Sequence, residues 1–327
     1  MPAGMRAVPT TIDWCPELPI FASERYLAAV GKEYGWLAGV DSKDRVRCIL
    51  PYVILRKPLL RMVRFPVQTL LIDPELNTAD EQEFLDSAMR HFRAAGAGVV
   101  VPGTTNAIFR TFPRGADSVP YGTYALDLRT TEESLWEGVS SSHRRLIRTA
   151  IREQVETVAA PEAVDEAYQL IRRTFEAGSL PFMDLSSFRR LVHSLGDNVR
   201  VMVARRRGEI QGAIVVPFSR CAAYYLYGGR SGDAVSGAMH LLHWEAIRAF
   251  RLAGVSAYDF VGARIDPAKG SKQEGLATFK QRFGARLHRG YMWRYPLQPV
   301  QYRAYSLAAR LLRGGDIVQQ ESARRTE

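Results

Sequence analysis

A lysine flanked by two phenylalanines is the residue in this sequence best placed to do chemistry. In Gly275-Leu-Ala-Thr-Phe-Lys-Gln-Arg-Phe-Gly284 the spacing predicts a short helix, with Phe279 and Phe283 four residues apart on one face. Buried, those rings hold Lys280 beside the ends of neighbouring strands. A pinned ammonium there can stabilise a developing oxyanion or hold a phosphate. An exposed helical lysine would only add solubility, and the aromatic anchors set this one apart.

Two further segments carry groups suited to the same site. Tyr258-Asp-Phe-Val-Gly262 reads as a strand that ends on a carboxylate and a glycine. Ligands of α/β sheets gather beyond the carboxyl ends of strands, so Asp259 is placed to act as a base or as an orienting acceptor. Tyr224-Tyr-Leu-Tyr-Gly-Gly-Arg-Ser231 reads as an aromatic strand running into a glycine loop ahead of a helix. Tyr225 and Tyr227 would share one face of that strand. Gly228 and Gly229 would let backbone approach a ligand, and the helix start beyond them favours anions.

The helix Ser142–Arg152 places Arg144, Arg148 and Arg152 four apart on one stripe, either a solvated face or a grip for phosphates. His240 and His243 stand three apart on another helix. No third ligand is evident, so the reading is partly buried histidines and no metal. No G-x-S-x-G elbow or Walker A loop is present. Gly96-Ala-Gly98 lies between a helix and a strand, the wrong order for a dinucleotide fingerprint.

The elements that must position these groups follow from periodicity and punctuation. In the first half, a helix over 21–33 precedes a hairpin of Trp36–Val40 and Arg47–Leu55, then a short run Val67–Ile72. A helix over Thr78–Ala95 follows, capped by Thr78 with Glu81 and closed by Gly96, then strands Val99–Val101 and Tyr121–Leu128. The second half repeats the order. A long helix Thr131–Arg152 and helices Glu162–Ala177 and Ser186–Leu195 precede strands Val199–Arg205, Ile210–Pro217 and Ala222–Tyr227. Helix Ala234–Ala253 and strand Ser256–Phe260 complete it. A helix between two strands should make those strands neighbours in a mixed sheet. One order of elements appearing twice suggests a duplicated α/β unit. The boundaries expected are 1–128 and 129–298, with an amphipathic helix and a frayed polar tail over 299–327.

Composition bounds the setting. The chain has 327 residues, 46% of them hydrophobic, and a net charge of +10 from 44 Lys and Arg against 34 Asp and Glu. A surface of that sign favours polyanionic partners such as RNA, nucleotide diphosphates, CoA or an anionic membrane face. The three cysteines, Cys15, Cys48 and Cys221, are odd in number and widely spaced, against a disulfide framework and in favour of a reducing compartment. No stretch approaches a membrane span or a signal peptide, so the expected location is cytoplasmic, at most peripheral at the membrane.

Taken in order, Y-x-Y-G-G-R-S, the helix with Leu242-His-Trp-Glu-Ala-Ile and Gly254, Y-D-F-x-G and G-L-x-x-F-K-x-x-F-G resemble the Fem-type aminoacyltransferases of the wider GNAT superfamily. The likeness covers mainly residues 131–290. It implies an α/β fold of two tandem GNAT-like domains, each a mixed, mostly antiparallel sheet flanked by helices. It also implies transfer of an amino acid from aminoacyl-tRNA to an amine of a cell-wall precursor or a related peptide or sugar. Under that resemblance Phe279 and Lys280 match the family's Phe-Lys pair, with the lysine acting at the acyl group. Asp259 is the third catalytic candidate. Tyr225, Tyr227, Arg230, Ser231, Tyr258, Arg264, Arg144 and Arg148 are the substrate-binding candidates. No tightly bound cofactor is expected, and a nucleotide- or lipid-linked precursor is the expected acceptor.

The chain departs from larger members in lacking a Lys/Glu-rich helical-hairpin arm, and the basic loop Arg264–Glu274 is free to clamp an acceptor. An acyl-CoA-dependent N-acyltransferase of polysaccharide or natural-product biosynthesis is the alternative. Against it, Asp233 stands where the pyrophosphate-cradling turn wants its first glycine. A non-catalytic RNA-binding module is the third reading, disfavoured by the intact F-K-x-x-F-G and Y-D-F-x-G segments.

Overall fold

The computed structural model describes residues 4–57 and 60–326. The chain separates into two compact units. One is built from residues up to Trp14, from 21–122 and from 289 onward, the other from Cys15–Ile20 and Thr123–His288.

In the first unit β1 (Arg6–Thr10) pairs with β2 (Glu33–Val40), which forms an antiparallel hairpin with β3 (Val46–Lys57). Helix α1 (Glu24–Val30) precedes that hairpin, capped by the Ser23 hydroxyl on the Tyr26 N–H. The strand β4 (Leu60–Arg64) pairs antiparallel with β3, and the Val67–Ile72 run shortens to β5 (Leu70–Leu71). Helix α2 (Thr78–Ala94) then crosses to β6 (Val99–Val100), which lies parallel to β4. The strand that directly precedes α2, β5, pairs instead with β3, and β4, which the sequence did not reveal, takes the place beside β6. The cap of α2 is Asn77, not Thr78. The Asn77 side chain accepts the Asp80 N–H at 2.8 Å, while Glu81 is buried and takes Arg110 instead. Phe65, Phe84, Phe92, Phe109 and Trp293 fill the core beneath α2. The unit's last new strand, β7 (Asp117–Asp127), ends in the second unit.

The second unit opens on two helices where the sequence suggested one. They are α3 (Glu132–Gly138), capped by Thr131, and α4 (Ser141–Arg152). The break falls at Ser140, whose extended backbone lets its hydroxyl accept the His143 N–H and start a new helix. The strand β8 (Glu156–Ala159), α5 (Val164–Ala177) and α6 (Leu185–Leu195) follow, then the hairpin β9 (Val199–Arg206) and β10 (Glu209–Pro217). Arg207 and Gly208, both at positive φ, make its two-residue turn.

The expected strand Ala222–Tyr227 divides. β11 (Ala223–Tyr224) is followed after two residues by β12 (Tyr227–Arg230), which pairs antiparallel with β10. Helix α7 (Ala238–Leu252) starts four residues later than Ala234. Gly237 at φ 89° precedes it, where a Cβ would lie 2.0 Å from the Leu146 carbonyl oxygen of α4. It leads to β13 (Ala257–Arg264), parallel to β11 and adjacent to β7. Thus each unit carries a hairpin followed by a parallel strand–helix–strand crossover. Helix α8 (Lys272–Gln281) starts three residues before Gly275, capped by the Ser271 hydroxyl on the Glu274 N–H. The loop read as Arg264–Glu274 is therefore helical at its end.

The chain returns through β14 (Arg286–Pro296), antiparallel to β6, into α9 (Pro299–Arg313) and α10 (Ile317–Thr326) in the first unit. The polar tail is helical, not frayed, as far as Thr326. Val318 and Glu321 are buried, and Arg294 of β14 ties to Asp117 and to Asp316 at the head of α10.

Candidate active site

Two strands part beside the candidate residues. β11 and β13 are paired only at Ala223 with Tyr258 and Tyr224 with Asp259. The Tyr225 N–H still reaches the Asp259 carbonyl at 2.8 Å, but the Leu226 N–H turns away to Val215 on β10. From there β12 follows β10 while β13 runs on to Arg264. Tyr225 and Tyr227 consequently do not share a face. Tyr225 packs edge-on to His243 (ring centroids 4.4 Å), whereas Tyr227 joins Phe175, Phe182 and Phe188 under α5 and α6. Gly228 and Gly229 are strand residues rather than a ligand loop. A Cβ on Gly229 would lie 2.4 Å from the Leu170 backbone of α5, so the close approach is the protein's own.

Beyond the parting point β13 kinks. Val261 adopts φ 47°, a region that β-branched residues occupy at a cost of about 1–3 kcal/mol when their surroundings hold them there. Here the holders are visible. One oxygen of Asp259 (Oδ1) accepts the Val261 N–H at 2.7 Å and also the Thr123 hydroxyl of β7. The Val261 and Gly262 carbonyls both accept from Lys280 Nζ, the latter at 2.7 Å. Lys280 is 8% exposed, and burial lowers its ammonium to about 8, opposed by the negative charge of Asp259. The Asp259 carboxyl is raised by its own burial, against the bonds from Thr123 and Val261 and the charges of Lys280 and His288. Gln281, next to Lys280, donates to the Tyr124 hydroxyl at 2.7 Å, a second link from α8 to β7.

Around Lys280 lies an aromatic nest that sequence reasoning found only in part. Phe279 and Phe283 pack against each other and against His143, His240 and His243, with centroids between 4.8 and 6.3 Å. His143 gives little signal of its own in a helix whose other polar residues are mostly arginines. The one local sign was its place three residues after the capping Ser140. Its Nε2 lies 3.2 Å from the Phe279 carbonyl, and His243 Nδ1 lies 3.0 Å from the Tyr258 hydroxyl. Burial lowers all three rings, His240 to about 4 and His243 to about 3. Among the described residues no group of three or more His, Cys, Asp or Glu is arranged to hold a metal.

The remaining candidates distribute unevenly. Tyr258 is fully buried behind His243, so it packs in the core rather than facing a ligand. Arg144 caps α3 by donating to the Trp136 and Glu137 carbonyls, and Arg148 lies over the Trp136 ring at 5.8 Å. Those two arginines thus secure the α3–α4 corner, while Arg152 bonds the Thr149 hydroxyl of its own helix. Arg230 is exposed at the end of β12, Ser231 donates its N–H to the Gln211 carbonyl, and Arg264 is half-buried on β13.

Comparison with known proteins bears on the fold. Residues 139–281 match the profile of the acetyltransferase (GNAT) domain family. No curated protein matches the chain in sequence. Among solved structures, the crystal structure of FemX is 14% identical and superposes with a TM-score of 0.67, covering 87% of this chain and 94% of that one. The C-terminal domain of a putative lysylphosphatidylglycerol synthetase from Agrobacterium fabrum is also 14% identical, with a TM-score of 0.54 over 90% and 98% of the two chains. The L-PGS structure from Bacillus licheniformis is 12% identical, with a TM-score of 0.51 over 88% and 91%. Residues 139–281 thus carry the signature of a GNAT acetyltransferase domain, and the chain shares its fold with FemX.

Proposed function

We propose that this protein forms an amide bond by moving an amino acid from aminoacyl-tRNA to an amine on a cell-envelope precursor or a related peptide or sugar. The observation that carries the reading is Lys280, buried and fixed where β12 and β13 part. The acyl carbonyl lies in that gap, the acceptor amine attacks it, and the Lys280 ammonium stabilises the tetrahedral oxyanion. The amine proton passes to a base on the substrate or to Asp259, and the ester oxygen of the donor leaves. Phe279 and Phe283 exclude water around the ammonium. Arg230, Ser231 and Arg264 lie at the ends of the strands that border the gap and contact the substrates. The overall basic charge suits a polyanionic donor and a phosphate-linked acceptor. Peripheral contact with an anionic membrane face fits a lipid-linked acceptor, and no described helix is long and apolar enough to span a membrane.

The second reading uses acyl-CoA as donor. It is favoured by the match of residues 139–281 to an acetyltransferase profile. The test offers purified protein a charged tRNA pool or acetyl-CoA, each with amine acceptors, and compares wild type with Lys280→Ala. Loss of one oxyanion-stabilising group costs about 100-fold or more in kcat. Turnover of either donor that is unchanged within a few-fold in the variant removes Lys280 from the chemistry, and turnover of acetyl-CoA alone selects the second reading.

A further inference from the structure

Lys280 does not reach the gap on the strength of its own helix. Its ammonium is held by two carbonyls of β13, and those carbonyls converge because Val261 sits at φ 47°. A β-branched residue does not take that conformation unaided. What maintains it is Asp259, two residues earlier on the same strand, whose Oδ1 accepts the Val261 N–H at 2.7 Å. Asp259 is itself half-buried, and its Oδ1 accepts a second bond from the Thr123 hydroxyl on the neighbouring strand β7. Thr123 is 9% exposed, so no bulk water stands ready to replace its hydroxyl.

We infer that Thr123 and Asp259 are positioning residues. Thr123 fixes the Asp259 carboxylate, the carboxylate fixes the kink at Val261, and the kink presents the carbonyls that aim Lys280. This inference rests on the assignment of Lys280 to the reacting acyl group and gives Asp259 the orienting role. The burial that lowers Lys280 to about 8 is consistent with it, because a kink that relaxed would let the ammonium swing toward water.

The experiment compares Thr123→Val, which keeps shape and loses the hydroxyl, with Thr123→Ser, which keeps the hydroxyl. Two readouts are taken on the full-length protein: kcat and KM with the donor that wild type turns over, and the pH midpoint of Lys280 labelling by an amine-selective acetylating reagent, followed by mass spectrometry. Thr123→Val is expected to lower kcat about tenfold with KM little changed, the scale of one bond to a charged group. Its labelling midpoint moves up toward the free-lysine value, and Thr123→Ser restores both readouts. An unmoved labelling midpoint in Thr123→Val overturns the inference. So does a Thr123→Ser protein as impaired as Thr123→Val, which would make the position a packing site only. The labelling readout needs no substrate, so it decides the positioning role even if neither donor is turned over and the functional reading fails.

Discussion

Replacing Lys280 with methionine probes the site without reference to any substrate. The ammonium titrates near 8 in the folded protein against 10.5 for a free lysine, because burial penalises its charge. Between those values the unfolded chain binds more protons than the folded one, so this group makes the protein more stable as pH rises through the window. Below pH 8 both states are protonated and the contribution is flat. Integrating from pH 7 to pH 10 with those two values yields a gain of about 2.5 kcal/mol. The buried tyrosines Tyr224, Tyr225 and Tyr258 act oppositely and later, since burial raises them and their contribution is lost at still higher pH. Taking the difference between wild type and Lys280→Met cancels them. Urea denaturation of both proteins at pH 7 and pH 10 is the assay. Wild type should gain about 2.5 kcal/mol relative to the variant over that interval. A double difference below about 1 kcal/mol would refute the burial argument, because Lys280 would then be a solvated side chain with an ordinary titration.

Two further substitutions test the frame on which the site hangs. Gly229→Ala places a methyl 2.4 Å from the Leu170 backbone, where no side-chain rotation can relieve it. It should cost about 1–3 kcal/mol in chemical denaturation, and a neutral result would mean that α5 does not press on β12 as described. Arg110→Ala strips the partner from Glu81, which is 1% exposed and bonded to Arg110 at 2.7 Å. A loss of about 3 kcal/mol is expected at pH 7, and Arg110→Lys should recover part of it. Equal stability of wild type and Arg110→Ala would show that water already solvates the carboxylate.

The legible parts of the fold were those written in neighbouring residues. Ser and Thr ahead of apolar repeats, the turn at Arg207-Gly208, and the apolar runs of β2, β3, β9 and β10 located most elements to within a few residues. The parallel neighbours β11–β13 followed from a helix standing between strands, whereas β4, the partner of β6, was not read from the sequence, and the run Val67–Ile72 ahead of α2 pairs with β3 instead. Misplaced boundaries arose where two local signals competed. Asn77 displaced Thr78 as a cap because its side chain reaches the Asp80 N–H, and Ser140 broke a helix that periodicity alone would have continued.

Lys280 between Phe279 and Phe283 was determined by the sequence itself, since i, i+4 aromatics on a helix beside a glycine turn pack inward wherever that helix lies. Tertiary structure decided what the lysine meets. The splitting of 223–230 into β11 and β12, the turned backbone at Val261, the grip of Thr123 on Asp259 across 136 residues of chain, and the gathering of His143, His240 and His243 all depend on hydrogen bonds and packing between distant segments. Local pattern carries no record of those partners. Tyr225 and Tyr227 show the difference: alternation put them on one face, and the two strands they serve carried them into separate cores.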